Sequence, residues 1–146
     1  MNLASFTVVM AVGTLLHSES QRPFGRDFER LLPDFEVSVI RAAADRNGCI
    51  GDNYLILLAI RKAENGPKKR EFGVTNPKAN TLDKQAGWCA ATIVKSRARW
   101  IAAGKPEDFI DYLQRRYAPI NADNDPHNLN SNWAKNVKYW YERFKQ

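Results

Sequence analysis

DNYLILLAIRKAENGP, from Asp52 to Pro67, is the stretch on which the reading of the whole chain turns. Its middle, Tyr54 to Ile60, is apolar without a break, so a helix here would be buried on most sides instead of along one stripe. Asp52 or Asn53 offers a capping side chain, and Asn65-Gly66-Pro67 stops the helix abruptly. Glu64 therefore stands in the last turn of a buried helix.

Working outward, Asp34 can cap a helix running to Arg46, with Phe35, Val39, Ala42 and Ala43 at helical spacing and Asn47-Gly48 as its end. After the central helix, PKKREFGVTNPKAN (67–80) is dense in Gly, Pro, Asn and Lys and predicts a loop or small β-ribbon around EFGVT. Leu82 to Ala103 then reads as a long helix with Ala86, Ala90, Ile93, Val94, Arg97 and Ile101 on its spacing, closed by Gly104. Pro106, with Glu107 and Asp108, opens a further helix through Ala118. The polar run PINADNDPHNLNS (119–131) precedes a last helix near Asn132 to Phe144. The expectation is an all-α domain with one loop-rich face, occupying 34–146.

Residues 1–33 read differently. LASFTVVMAVGTLLH, Leu3 to His17, is an uncharged apolar leader, too short to span a bilayer comfortably, and SESQRPFGRDFERLLP is a broken connector. No Lys or Arg precedes the leader and no small-residue cleavage pattern follows, which leaves an uncleaved helix and an export segment both open.

Composition narrows the class. At 146 residues, 44% hydrophobic and 26% charged, the chain fits one folded domain and excludes a disordered chain, a collagen or a disulfide-dense miniprotein. With 22 Lys plus Arg against 16 Asp plus Glu, the net charge of +6 favours polyanionic partners: nucleic acid, anionic lipid or bacterial cell wall. Cys49 and Cys89 form no zinc-binding pattern and are expected as packed thiols or as a disulfide. His17 and His127 have no neighbours suggesting a triad or a metal site, and no metal or cofactor is expected.

Glu64 is the candidate for chemistry. The partial negative charge of a helix C-terminus and apolar surroundings both disfavour its ionised form. A carboxyl kept protonated near neutral pH is what a glycosidase requires as general acid, because the leaving oxygen must take a proton as the glycosidic bond breaks. The structural alternative is a solvated helix end balanced by Arg61, Lys62, Lys68 or Lys69, and positive charge in RKAENGPKKR (61–70) would lower the same pKa. Glu71 and Asp83 are the nearest further carboxylates, each expected as a surface charge paired with a basic neighbour. Trp88 is kept as a flat face for a sugar, while Trp100, Trp133 and Trp140 read as core.

Two separated segments carry a resemblance. LLAIRKAENG (57–66) followed by EFGV (71–74) resembles the opening of lysozyme-like domains of the lytic transglycosylase and goose-type lysozyme families. There a buried helix ends in the catalytic Glu, and a Gly-aliphatic pair lines the substrate loop. RRYAPINADNDPHNLNSNWAKNVKYWYERF (115–144) is similar to the same families' closing pattern, an active-site Tyr in a turn and then an aromatic and a Val four residues apart. Thr75-Asn76 stands where the family has Met-Gln, and the Asn that follows the family's Tyr is absent.

The resemblance implies a bacteriolytic muramidase or lytic transglycosylase with Glu64 as acid/base and Gly73, Val74, Thr75, Trp88 and Tyr117 about the substrate. It also implies peptidoglycan glycan strands as the partner and action at the bacterial cell wall after export or on a virion; a monomer or a part of a virion is expected, and the short leader predicts no stable membrane span. Tyr117 would stabilise the cationic centre or orient Glu64, or else only pack its ring. The competing class is a basic helical binding module, for nucleic acid or within a virion, that retains the fold without the activity; no recognition-helix pattern favours nucleic acid.

Overall fold

The computed structural model describes residues 30–146. The apolar leader, His17 and the connector as far as residue 29 lie outside them. The described chain is mainly helical, in the order α1 (Asp34–Arg46), α2 (Asp52–Glu64), α3 (Leu82–Ala102), α4 (Phe109–Tyr117) and α5 (Trp133–Lys145), with a 3-10 turn, Leu129–Asn132, leading into α5. Among the described residues there is no strand, so the 67–80 segment is a loop and not a ribbon.

α2 is the axis. Every residue from Leu55 to Arg61 is buried, and α5, α3 and α1 pack around it, while α4 closes the far side against α3 and α5. Its start is held by tertiary contacts instead of a side-chain cap: Gly51 is the N-cap, and neither Asp52 nor Asn53 caps. Both polar side chains reach outward to Arg97 of α3, whose Nε donates to Asn53 Oδ1 at 2.9 Å and whose Nη2 pairs with Asp52 Oδ2 at 2.8 Å. Asp52 also accepts from the Tyr141 hydroxyl of α5. Three helices are thus pinned where α2 begins.

α1 has the expected limits but a different inner face. Glu36, Val37, Ile40, Ala43 and Ala44 are buried, whereas Phe35 is 67% exposed and Ala42 faces solvent. Phe35 and Ala42 are two turns apart and share one outer side, and the inner stripe follows the 3- and 4-residue steps from Glu36. Asp34 is the first helical residue and Pro33 the N-cap, without a capping hydrogen bond. α1 is nevertheless integral, since it packs broadly on α3 and Glu36 takes a two-point ion pair from Arg61, with Nε and Nη2 each at 2.9 Å.

α3 carries a side-chain cap, Thr81 Oγ1 accepting from the Lys84 N–H at 3.2 Å. Its buried face comprises Gln85, Ala86, Cys89, Ala90, Ile93 and Ser96, and Ile101 is exposed. α4 is capped by Asp108, whose carboxylate accepts from the Ile110 and Asp111 N–H groups, so Pro106 precedes the helix instead of lying in its first turn. No helix among the described residues is long and apolar enough to cross a membrane. Cys49 and Cys89 are both free, buried thiols.

Candidate active site at the end of the central helix

α2 ends as its local chemistry requires. Asn65 takes left-handed geometry, φ 43°, and donates its N–H to Arg61 O at 3.1 Å, which leaves Glu64 as the final helical residue. Its half-buried side chain meets two separated pieces of chain. Trp133, at the first position of α5, donates its indole N–H to Glu64 Oε1 at 2.7 Å. Gly73, at φ 70°, lies so close that a Cβ there would stand 2.5 Å from Oε2 and 2.8 Å from Cδ. Only a glycine allows the loop backbone to lie against this carboxyl.

The loop is clamped in that position. Gln85, wholly buried on α3, accepts from the Phe72 and Val74 N–H groups at 3.2 Å each, and its amide donates to Lys69 O, Val74 O and Ala79 O at 3.0, 2.8 and 2.6 Å. One side chain thereby replaces the backbone ladder that a ribbon would have provided. From the other side the Tyr117 hydroxyl donates to Phe72 O, and the Tyr117 ring stacks on Trp133 with centroids 5.2 Å apart and planes 27° apart. Tyr117 bridges Phe72 and Trp133, and its hydroxyl also meets the Cys89 thiol.

Charge around Glu64 is arranged by exclusion. Arg61 is committed to Glu36, the Lys62 ammonium lies 4.6 Å over the Trp140 ring, and Lys68, Lys69 and Arg70 line a separate pocket. Among the described residues no cation pairs with Glu64. Burial pushes its carboxyl above the ordinary value of 4.5, and the Trp133 N–H, favouring the ionised form, offsets part of that rise. Burial likewise raises the adjoining Cys89 thiol and Tyr117 phenol, so both neighbours are neutral at neutral pH. Oε1 accepts from the indole, and Oε2 lies against the exposed Gly73. Such a group can give a proton to an oxygen docked there and take one back.

The other predicted positions are divided. Val74 is held at both its N–H and C=O by Gln85, and Thr75 is exposed in the wall of the neighbouring pocket. Trp88 is 45% exposed on α3, about 60° round the helix from Gln85, without touching the cluster. Asp83 pairs with Arg46 on the surface. Glu71 is buried, not a surface charge, and its Oε1 accepts from the Lys69 N–H at 2.9 Å; it shares no hydrogen bond with Glu64. His127 is exposed in the 119–131 loop, and no group of three or more His, Cys, Asp and Glu among the described residues is placed to hold a metal ion.

Gln85 is not among the site residues expected from the sequence, and Trp133 enters there as the aromatic of the Trp133-to-Val137 closing pattern and as a core residue, without a role for its indole N–H. A Gln on the same helical face as Ala86, Cys89 and Ala90 is a signal, because a buried amide must find partners. A core Trp likewise has an N–H to satisfy. Comparison of the chain with protein-family models, characterised proteins and solved structures finds no match.

Proposed function

We propose that this chain is a peptidoglycan-cleaving glycosidase acting on the β-1,4 bond between N-acetylmuramic acid and N-acetylglucosamine, with Glu64 as its acid and base. The observation that carries the reading is the setting of Glu64: a half-buried carboxyl, hydrogen-bonded among the described residues to a neutral indole and lying against an exposed glycine. The positions behind the resemblance support it too, since Glu64, Gly73, Tyr117 and Trp133 are distant in sequence and adjacent in space.

Glu64 Oε2 protonates the glycosidic oxygen as the bond to the muramyl C1 breaks, leaving an oxocarbenium-like centre. A second carboxylate would activate water or attack that centre; Glu71 Oε1 accepts the Lys69 N–H and Asp83 pairs with Arg46, and we assign that role to neither. The muramyl 6-hydroxyl then supplies the nucleophile: its oxygen bonds to C1 while its proton returns to Glu64. The product is a 1,6-anhydro end, and no water is consumed. This is a lytic transglycosylase reaction, and its substrate places the enzyme at the bacterial cell wall.

Clearing of a cell-wall suspension by the wild type and by Glu64→Gln tests the assignment. The expected loss in the variant is about 10²- to 10⁴-fold, the usual worth of a positioned general acid. Equal clearing by both proteins removes Glu64 from the chemistry. Salt-sensitive DNA binding by a protein that clears no wall favours the basic binding module instead.

A further inference from the structure

Next along the chain from Gly73, the loop from Pro67 to Asn80 folds round an open pocket of about 410 Å³. Lys68, Lys69 and Arg70 line it, and no carboxylate does. None of the three cations takes part in an ion pair among the described residues. The amide oxygen of Asn76 accepts the Lys78 N–H at 2.9 Å and that of Asn80 the Lys84 ammonium at 3.1 Å, and the nitrogens of both amides are donors. The polar lining therefore donates, while Val74 adds a small apolar wall.

The pocket and the candidate acid are mechanically one unit. Gln85 bonds to Lys69 O, Val74 O and Ala79 O, all from pocket-lining residues, and to the N–H groups of Phe72 and Val74, which flank the Gly73 lying on Glu64. A group seated in the pocket thus has a fixed relation to a sugar at Glu64.

We infer that this pocket is a binding site for a carboxylate-bearing peptide, the stem carried by the muramyl sugar of the strand being cut; the inference rests on the glycan-cleaving reading above. A substituent of that same sugar suits a pocket one residue along the loop from Gly73, its free carboxylates match three unpaired cations, and short apolar side chains match the Val74 wall. Charge-assisted hydrogen bonds supply the affinity and make it salt-dependent.

The test is calorimetric binding of an N-acetylmuramyl peptide, which lacks the bond to be cleaved, to the full chain. Its carboxyl-amidated form and oligomeric glycerol phosphate are the comparison ligands. The expected results are binding of the free-carboxylate form, at least about tenfold weaker binding of the amidated form, and a similar loss in Lys69→Gln/Arg70→Gln, whose helical circular dichroism is retained. Affinity should fall steeply between about 0.1 and 1 M salt. Equal affinity for the amidated peptide, or for the double variant, overturns the proposal; binding of glycerol phosphate alone overturns it in favour of a phosphate site. Because the fragment cannot be cleaved, binding without wall clearing marks failure of the catalytic reading, and clearing without binding marks failure of this one.

Discussion

Glu36 and Glu64 are both withdrawn from water against α2, and the helix treats them differently. Glu36 receives the Arg61 guanidinium through two hydrogen bonds of 2.9 Å, a closed pairing of full charges deep between α1 and α2. Glu64, three residues beyond Arg61, receives one neutral indole N–H at 2.7 Å and a glycine backbone. A buried carboxylate with its own cation serves to lock two helices. A buried carboxyl with only a neutral donor has its proton affinity raised and can exchange that proton, which is the property acid/base chemistry uses.

The largest expected effect comes from breaking the paired region. Arg61→Met leaves the Glu36 carboxylate buried without a partner and should cost about 3–5 kcal/mol in urea unfolding at neutral pH, with most of the loss restored by adding Glu36→Leu. A cost below about 1 kcal/mol would mean that the two carboxyls are not differently held.

Next is Gly73→Ala. The new Cβ meets Glu64 Oε2 at 2.5 Å from a backbone at φ 70°, so stability should fall by about 1–3 kcal/mol. Displacing the carboxyl should also lower wall clearing by about 10²-fold under conditions where the variant is folded. An alanine variant of unchanged activity would show that the loop has no part in placing Glu64.

The smallest effect sharpens the contrast through pH. The folded state holds the Glu64 proton more tightly than the unfolded chain, so between the ordinary value of 4.5 and the raised native one it binds more protons, and stability falls as pH rises. Glu64→Gln should lack this decline and be the more stable protein above that window. Trp133→Phe keeps the ring against Tyr117, removes the N–H, and should cost about 1 kcal/mol. Because that N–H favours the ionised form, its loss should carry the alkaline limb of the activity profile to higher pH; a shift to lower pH would contradict the assigned role.

Helix limits could be read from the chain because their causes are local. Asn65-Gly66-Pro67 ends α2 and Asn47-Gly48 ends α1 through backbone preferences of the residues themselves. Caps were read less well, since Asp52 and Asn53 were drawn away by Arg97, which lies more than 40 residues on. The same limit applied at the site. Glu64 and Gly73 could be singled out by helix position and motif, but Trp133 comes 69 residues after Glu64, and nothing local announces that contact. Arg61 was a candidate counterion for Glu64 on sequence proximity, and only the packing of α1 explains its commitment to Glu36. Gln85 escaped notice because one amide organises a loop through five hydrogen bonds that depend on the loop's final path.

The proposed reaction uses one protonated carboxyl, without a second, to cut the glycan strand. Mass analysis of fragments released from purified peptidoglycan by the wild type and by Glu64→Gln tests it most directly. Anhydro-ended fragments, one water lighter than hydrolysed ones, should appear with the wild type and be nearly absent with the variant. Fragments released equally by both proteins, or none released by the wild type, would contradict it.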